Sequence, residues 1–191
     1  DRTREVVREI QQKYPAITLM EFDHPLGKGG AVIEGFKKAQ GDLIGFVDAD
    51  GAIVPDEFAK LIIQAQKNTI DAAISSRYVS GAQVVKLQPL SRRIVSRMFN
   101  AYVRTLFGLN YTDTQCGAKV FSKASIKKIL PELKATNYAF DVEILWRLRK
   151  NGFHIVETPI VWHDKFGTHV NMMSAGMDSV FTLLKLRLGM L

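Results

Sequence analysis

An apolar run that ends in a pair of aspartates is the feature of this chain that most constrains its fold. The run Leu43–Val47 is followed at once by Asp48 and Asp50. A short apolar run bounded by polar and glycine residues predicts a strand that is buried on both faces. Open α/β sheets bind their ligands at the carboxyl ends of the strands. The two carboxylates are therefore predicted to lie at the mouth of a site.

The chemistry of this aspartate pair favours a divalent cation. Two neighbouring carboxylates repel each other unless something positive lies between them. A ligand set made only of oxygens suits Mg²⁺ or Mn²⁺, which can in turn carry a diphosphate. Asp48 and Asp50 are thus predicted metal ligands in a site for nucleotide chemistry. From these residues alone, a turn and an N-cap before a helix starting at Pro55 remain an alternative.

Composition predicts one folded domain with an anionic partner. The chain has 191 residues, of which 47% are hydrophobic, and a formal net charge of +7. Such a charge suits nucleic acid, an acidic lipid surface or a phosphorylated substrate. The single cysteine, Cys116, allows no internal disulfide and fits a reducing compartment. No apolar stretch is long enough to span a bilayer and the first residues are charged, so we expect any membrane contact to be peripheral.

Helical and strand patterns alternate along the first half of the chain. Helices are predicted over residues 2–14, 28–40 and 55–66, and strands over residues 18–22, 43–47 and 71–75. This alternation predicts an α/β fold with a largely parallel, mixed sheet. Because doubly wound sheets normally begin with a strand, we expect further strands to precede residue 1.

The second half contains a long basic amphipathic helix. Apolar residues recur at helical spacing over residues 90–107, with arginines between them. A strand at 118–121, helices at 122–129 and 141–150, a strand at 155–162 and an apolar helix at 172–191 are predicted to follow. Arg77, Arg92 and the neighbouring arginines could hold an anionic group, because guanidinium groups bind phosphate through two hydrogen bonds. For Arg93 and Arg97, a stripe facing solvent or lipid headgroups is the favoured interpretation.

A glycine-rich turn precedes the second predicted helix. Its glycines would let backbone amides approach a phosphate at the positive end of the helix, and Lys28 would add charge. The spacing matches neither a Walker loop nor the dinucleotide fingerprint. A glycine-rich turn without a ligand is an equally good interpretation of this string.

Five ordered motifs together resemble one enzyme family. They are Gly-Lys-Gly-Gly-Ala at 27–31, Asp-Ala-Asp-Gly-Ala at 48–52, Ser-Arg-Tyr at 76–78, Asp-Thr-Gln-Cys-Gly at 113–117 and Phe-Asp-Val-Glu at 140–143. The chain is similar to the membrane-associated family 2 glycosyltransferases, and most of all to dolichyl-phosphate β-glucosyltransferases. The resemblance implies a GT-A, Rossmann-like three-layer sandwich. Residues 1–171 would form its catalytic domain without the first, nucleoside-binding strands, and residues 172–191 a membrane-proximal amphipathic helix.

The resemblance also implies an activity and a site. The enzyme would transfer a sugar, with inversion, from a nucleotide sugar to dolichyl or polyprenyl phosphate at the cytoplasmic face of a membrane, using Mg²⁺ or Mn²⁺. The predicted donor ligands are Lys28, Gly29, Gly30, Asp48 and Asp50, the last two through the metal. The predicted ligands of the acceptor phosphate are Arg77, Arg92 and Ser96. The predicted catalytic residues are Asp113 and Asp50.

The chemistry of a phosphate acceptor indicates which acidic residues matter most for the reaction. A phosphate acceptor is already ionised near neutral pH, so the reaction needs positioning and leaving-group stabilisation more than a strong base. Asp141 and Glu143 open a helix, where acids commonly act as caps or dipole partners. We therefore expect loss of Asp50 to be more harmful than loss of Glu143. Cys116 is expected to be a packed residue rather than a nucleophile.

Two departures from the family pattern bear on the donor. Ala52 stands where related mannosyltransferases commonly carry a glutamine that contacts the metal, which favours UDP-glucose and leaves GDP-mannose as the alternative. The segment 167–169 reads Gly-Thr-His where a Gly-Ser-Lys string is common.

A nucleic-acid-binding module and a non-catalytic scaffold are alternatives from other classes. Because the cations accompany an apolar face rather than base-stacking aromatics, no nucleic-acid partner is expected.

Overall fold

The computed structural model describes residues 2–85, 90–163 and 172–191, without the side chains of residues 91, 92 and 172–175. The helices are α1 (Thr3–Lys13), α2 (Gly27–Lys38), α3 (Pro55–Ala65), α4 (Leu90–Phe107), α5 (Lys123–Ile129), α6 (Phe140–Lys150) and α7 (Met172–Arg187). The strands are β1 (Leu43–Val47), β2 (Ala72–Ser76), β3 (Gln83–Val84), β4 (Ala118–Ser122), β5 (Ile155–Pro159) and β6 (Val161–Trp162). A 3₁₀ turn, Leu130–Glu132, follows α5.

The main sheet is mixed, as the sequence predicts. Its strand order is β1-β4-β2-β5. Strand β4 runs antiparallel to both of its neighbours, whereas β2 and β5 are parallel. Strands β1, β2 and β5 therefore point the same way. Because β4 is reversed, its first residues lie beside the last residues of β1, with Ala118 opposite Val47. One edge of the sheet thus collects the ends of β1 and β2 and the segment that leads into β4.

Both faces of the sheet are covered, which gives three layers. Along β2, Ala72 and Ile74 belong to one core cluster and Ala73 to the other, as expected for side chains that alternate across a strand. The larger cluster contains aromatic and aliphatic residues of α2, β4, α6 and α7, among them Phe36, Phe121, Phe140 and Leu183. The smaller cluster packs α3 against the opposite face through Leu61.

The predicted strand at 18–22 is wrong. The structure has no strand there, although α1 is held to this segment by ion pairs of Arg4 and Arg8 with Glu21, at 3.4 and 2.8 Å. A strand exists only through the hydrogen bonds of a partner, and no other strand in the described part of the chain pairs with these residues. Local residue preference could not supply that partner.

The strand predicted over residues 155–162 is two strands. It divides after Pro159, where the ring removes the backbone N–H that a continuous ladder needs. Strand β5 stays in the main sheet, while β6 forms a separate parallel pair with β3. This second pair was not expected from the sequence, because each of its strands has only two residues.

The first turn of α2 packs closely against the segment before α6. A Cβ atom built on Gly29 would lie 2.4 Å from the Ala135 carbonyl oxygen and 2.5 Å from the Phe140 Cβ. Neither atom belongs to a flexible side-chain end that could move aside. Gly35, in the same helix, has nothing within 4 Å of the corresponding position. Only the first of these two glycines is required by packing.

We expect Gly29→Ala to lower the free energy of unfolding by about 1–3 kcal/mol, because the added methyl overpacks this contact. Gly35→Ala should instead raise it, by up to about 1 kcal/mol, since alanine favours the helix and meets no neighbour. Chemical denaturation of the two variants measures both values. Equal stabilities would contradict the packing described here.

Candidate active site

Asp48 and Asp50 leave the end of β1 in a turn. The Asp48 amide donates to the Gly117 carbonyl at 2.7 Å, which extends the β1–β4 pairing to the site. The Asp50 carboxylate is exposed, and its Oδ1 accepts from the Ala52 amide at 2.9 Å. Gly51, between Asp50 and Ala52, has a φ of +66°. This turn holds one aspartate at the sheet and presents the other to solvent.

Gly117 makes room for the Asp48 carboxylate. A Cβ atom on Gly117 would lie 2.1 Å from Asp48 Oδ2 and 2.4 Å from its Cγ. The carboxylate therefore lies directly over the backbone that enters β4. Any side chain at position 117 would displace it.

Behind Asp48 lies a buried chain of charges. Lys28 Nζ is 3.1 Å from Asp48 Oδ1 and 2.8 Å from Asp141 Oδ2. Lys119 Nζ is 2.6 Å from Asp141 Oδ1 and 2.8 Å from the Cys116 carbonyl oxygen. Asp141 and Lys119 are completely buried. These four residues, called here the charge network, come from α2, α6, β4 and the end of β1.

Mutual attraction favours the charged forms of Lys28 and Asp141. Burial by itself would lower the pKa of Lys28, but Asp141 and Asp48 raise it above its ordinary value. Burial would raise the pKa of Asp141, yet Lys119 and Lys28 lower it. For Asp48, burial outweighs the nearby ammonium, so the pKa of this carboxyl is raised.

The predicted phosphate cradle at the glycine-rich turn needs correction. Gly29 and Gly30 are buried, and the Gly30 amide donates to the Thr136 carbonyl at 3.1 Å rather than facing an open site. The glycines serve the close packing of α2 on residues 135–137. Lys28 is the residue of this string whose side chain reaches Asp48.

Arg77 and Asp113 form a second ion pair at the same edge. Arg77 Nε and Nη2 donate to the two carboxylate oxygens of Asp113 at 2.7 and 2.9 Å, and the Arg77 amide donates at 3.1 Å. Asp113 is buried and Arg77 nearly so. Asp113 is therefore engaged by an arginine, and Nη1 of the guanidinium is not committed to this pair.

Glu157 is a site-organising residue that sequence reasoning missed. Its carboxylate accepts from the Thr112 amide at 2.9 Å, the Thr112 hydroxyl at 2.7 Å and the Asp113 amide at 3.0 Å. It thereby fixes the loop that presents Asp113 to Arg77. A signal was present, because Glu157 is a charged residue within a predicted strand. Lys119 gives the same signal in β4.

Aromatic rings surround the arginines. The Arg77 guanidinium carbon lies 5.3 Å from the ring centres of Tyr78 and Trp162. The Arg97 guanidinium carbon lies 4.5 Å from the centre of the same Tyr78 ring. Such stacking favours a fixed cation. Ser96 is half-buried on α4. The Arg92 side chain and residues 167–169, also predicted from the sequence, lie outside the described residues.

Three further polar residues form hydrogen bonds that support the backbone around the site. Glu143 is buried, and its Oε2 accepts from the Lys134 and Ala135 amides at 2.9 and 2.7 Å, which holds the segment that packs on α2. The His163 amide donates to the Ala52 carbonyl at 3.0 Å, beside the aspartate turn. Glu57 supports the same place from α3, because it accepts from the Val161 amide at 3.0 Å.

Protein side chains alone do not enclose a metal at this edge. Within the described residues, no group of three or more His, Cys, Asp or Glu side chains is arranged to hold an ion. Asp48 and Asp50 offer carboxylate oxygens at the surface of the site, which is the ligand type that Mg²⁺ and Mn²⁺ prefer. An ion here would take its other ligands from a bound molecule and water.

Comparison with known sequences decides the family. The family model described as Glycosyl transferase family 2 matches residues 1–130. The chain belongs to glycosyltransferase family 2. The matched part contains both aspartates of the turn, Arg77, Asp113 and Gly117.

Individual members of this family resemble the chain over most of its length. It is 30% identical over 193 residues to a dolichyl-phosphate beta-glucosyltransferase of Dictyostelium discoideum, covering 98% of the chain and 59% of that protein. It is 33% identical over 154 residues to a polyprenol monophosphomannose synthase of Mycolicibacterium smegmatis, covering 78% of the chain and 57% of that protein. The chain thus spans little more than half the length of these relatives.

A solved structure confirms the fold. Glucosyl-3-phosphoglycerate synthase from Mycobacterium tuberculosis, crystallised with Mn²⁺, UDP and glucosyl-3-phosphoglycerate, matches with a TM-score of 0.62 at 18% identity. The match covers all of this chain and 66% of the synthase. The GT-A fold predicted from the motifs is therefore confirmed.

Cys116 provides a test of the packing beneath this site. Its thiol is fully buried, and burial first, followed by the nearby Asp113 charge, raises its pKa to about 11. We expect no alkylation of Cys116 by iodoacetamide at pH 8 in the native protein, because the thiol is neither accessible nor ionised. Peptide mass analysis before and after unfolding in guanidinium measures this. Rapid labelling of the native protein would contradict the burial.

Proposed function

We propose that this chain carries the sugar-transfer site of an enzyme that moves glucose from UDP-glucose to dolichyl or another polyprenyl phosphate. One observation carries the proposal: two charged groups lie at one edge of the sheet. The first is the pair Asp48 and Asp50, with Lys28 behind it. The second is Arg77, which is held by Asp113. The segment 113–117 joins them, with Asp113 at Arg77 and Gly117 at Asp48. Its ends can be no more than about 14 Å apart. A donor and an acceptor bound at these two places would be neighbours.

The donor is assigned to the aspartate end. Asp48 and Asp50 fit a Mg²⁺ or Mn²⁺ ion, since both are oxygen ligands at the mouth of the site and Asp50 is exposed. The mycobacterial synthase has the same fold and was crystallised with Mn²⁺ and UDP, and also with Mg²⁺ and UDP. When bound, such an ion neutralises charge on the departing diphosphate. Lys28 adds a fixed positive charge beside the same oxygens.

The acceptor is assigned to the arginine end. Nη1 of Arg77, which takes no part in the pair with Asp113, can donate to an oxygen of the lipid phosphate, with Arg92 and Ser96 as the further predicted ligands. An acceptor oxygen then attacks the anomeric carbon, and the bond from that carbon to the β-phosphate oxygen breaks. The electron pair leaves with UDP, and the configuration inverts. No proton has to be removed, because the attacking oxygen is already ionised.

This chemistry gives Asp113 a different task from that of a base. Its two oxygens are bound to Arg77, and Glu157 fixes its backbone. We assign it the positioning of Arg77, which keeps the guanidinium oriented for phosphate. Asp50 retains its predicted role through the metal.

The choice of donor rests on position 52. Ala52 is buried, its methyl group carries no ligand atom, its amide donates to Asp50 and its carbonyl accepts from the His163 amide, so it adds no ligand to the metal. This agrees with the glucosyltransferase pattern noted in the sequence, and the Dictyostelium relative is named for that activity. GDP-mannose is the second candidate, because the Mycolicibacterium relative is named as a mannose synthase.

We also propose that the site works at the cytoplasmic face of a membrane. Helix α4 exposes Leu90, Ile94, Val95 and Met98 together with arginines. Helix α7 is anchored in the core by Leu183 and Leu186, and it exposes Phe181 and Leu184, with Leu188 exposed just beyond its end. Exposed apolar residues beside cations suit the interface of an anionic bilayer. None of the helices in residues 2–85, 90–163 and 172–191 is long and apolar enough to cross one.

A transfer assay tests the function. The intact protein is given labelled UDP-glucose or GDP-mannose with a short polyprenyl phosphate and Mn²⁺ or Mg²⁺. We expect metal-dependent label in the lipid from UDP-glucose. Label from GDP-mannose alone would establish the second candidate, and absence of label from both donors would contradict the proposal.

In this assay, Asp50→Asn should lower the transfer rate by about 100-fold, because it weakens the charge that holds the metal and diphosphate. Glu143→Gln should cost much less, since its carbonyl oxygen can still accept the Lys134 and Ala135 amides. Asp56→Asn, an exposed acid on α3, is the control for loss of one charge. An unchanged rate for Asp50→Asn would rule out the assigned metal site.

Vesicle flotation tests the membrane proposal. Replacing Arg93 and Arg97 by glutamine should reduce binding of the intact protein to anionic vesicles by roughly 30-fold, at about 1 kcal/mol per cation. Replacing the exposed Lys127 and Lys128 of α5 removes the same charge elsewhere and should change binding little. Equal losses for the two pairs would mean that net charge, and not the α4 surface, determines attachment.

A further inference from the structure

The charge network contains one carboxylate that no solvent reaches. Asp141 is fully buried and lies between two ammonium groups, 2.6 Å from Lys119 Nζ and 2.8 Å from Lys28 Nζ. Each lysine takes a different oxygen, Oδ1 for Lys119 and Oδ2 for Lys28. A buried carboxylate is costly unless it is paired and hydrogen-bonded. The arrangement is therefore specific in both charge and orientation.

The geometry points to Asp141 and Lys119 as positioning residues that hold the Lys28 ammonium against Asp48, where Lys28 contacts the donor diphosphate. This inference rests on the function proposed above and deepens it. It assigns Lys28 a binding role that depends on two residues which themselves touch no substrate. It also gives a task to Asp141, for which sequence reasoning favoured only a helix-end role.

Lys28 bridges the core and the mouth of the site. Its side chain is 15% exposed, whereas that of Asp141 is 1% and that of Asp48 is 38% exposed. The rings of Phe46 and Tyr138 lie 5.6 and 5.9 Å from its Nζ and narrow the space around it. An ammonium has three donor hydrogens. One is donated to Asp48 Oδ2 at 3.2 Å, whereas Asp141 Oδ2 attracts the ammonium by charge at 2.8 Å without an aligned hydrogen bond. Another hydrogen can bind a diphosphate oxygen.

Lys119 orients Asp141 from the opposite side. Its Nζ is also fixed by the Cys116 carbonyl oxygen at 2.8 Å, so it cannot follow Asp141 if that carboxylate turns. With Oδ1 held in this way, Oδ2 stays aimed at Lys28. Lys119 thereby sets the position of the ammonium on the other side of Asp141 without reaching the site.

The consequence appears in the transfer step. When the bond between the anomeric carbon and the β-phosphate oxygen breaks, the electron pair and a negative charge pass to UDP. A fixed ammonium stabilises that charge without reorganising, which lowers the barrier more than a mobile one. Lys28 held in this way also binds the diphosphate when no metal is present.

A charge-balanced double variant separates positioning from folding. Asp141→Asn alone leaves two lysines facing one aspartate, and that variant can fail to fold. Asp141→Asn combined with Lys119→Met removes one charge of each sign and leaves Lys28 paired with Asp48. Lys123→Met, at the first residue of α5, where the lysine donates to the Gln40 carbonyl, is the matched control. Thermal unfolding should place the double variant and the control close to the wild type.

Calorimetric titration of the intact protein with UDP in EDTA, and again with Mn²⁺, gives a readout that does not depend on turnover. We expect the double variant to bind UDP about tenfold more weakly in EDTA, as for loss of one charge-assisted hydrogen bond. In the transfer assay its kcat should fall by a similar factor, with the KM for polyprenyl phosphate unchanged. Lys28→Met should show the same losses, and adding the double change to it should cause no further loss.

Each outcome is decisive. A folded double variant with wild-type UDP affinity and kcat overturns the inference, as does a further loss when the double change is added to Lys28→Met. If the wild type binds UDP but transfers no sugar from either donor, the proposed function fails, while the metal-free titrations still test the positioning of Lys28. Wild-type protein that binds no UDP overturns both.

Discussion

The salt bridge between Lys28 and Asp141 is the interaction on which the site depends. It joins the first turn of α2 to the first turn of α6, and Lys119 and Asp48 extend it to β4 and the end of β1. Four elements distant in sequence are thus held in one arrangement. Breaking a buried pair by removing one partner costs about 3–5 kcal/mol, because the other charge is left unpaired. The network therefore specifies position more than it adds stability.

The two halves of the site follow the same physical rule. In each half, a buried aspartate holds a cation at the sheet edge: Asp141 holds Lys28, and Asp113 holds Arg77. The reversed strand β4 makes this possible, since the segment before it passes both places. Substrate charges would then meet groups that are already oriented, which is how a site stabilises a leaving group with little reorganisation.

Much of the fold could be predicted locally. The strand at 43–47 and the helix at 90–107 have the predicted bounds, because apolar runs and helical spacing are properties of neighbouring residues. The prediction that this strand is buried on both faces was wrong: in the described part of the chain β1 lies at the end of the strand order, and Ile44 is its one buried residue. The strand expected at 18–22 is absent, since a strand also needs a partner. The direction of β4 and the separate β3–β6 pair were likewise set by contacts between distant segments. Residue preference does not contain that information.

The sequence by itself determined which chemistry was on offer: two aspartates after an apolar strand, a lysine among glycines, arginines on and near an amphipathic helix, and the order of motifs that marks the family. Only the tertiary structure decided the partners. Asp113 pairs with Arg77 across 36 residues, and Lys119 with Asp141 across 22. The physical reason is that a charge takes its role from the groups within a few ångströms of it, and folding alone brings those groups together.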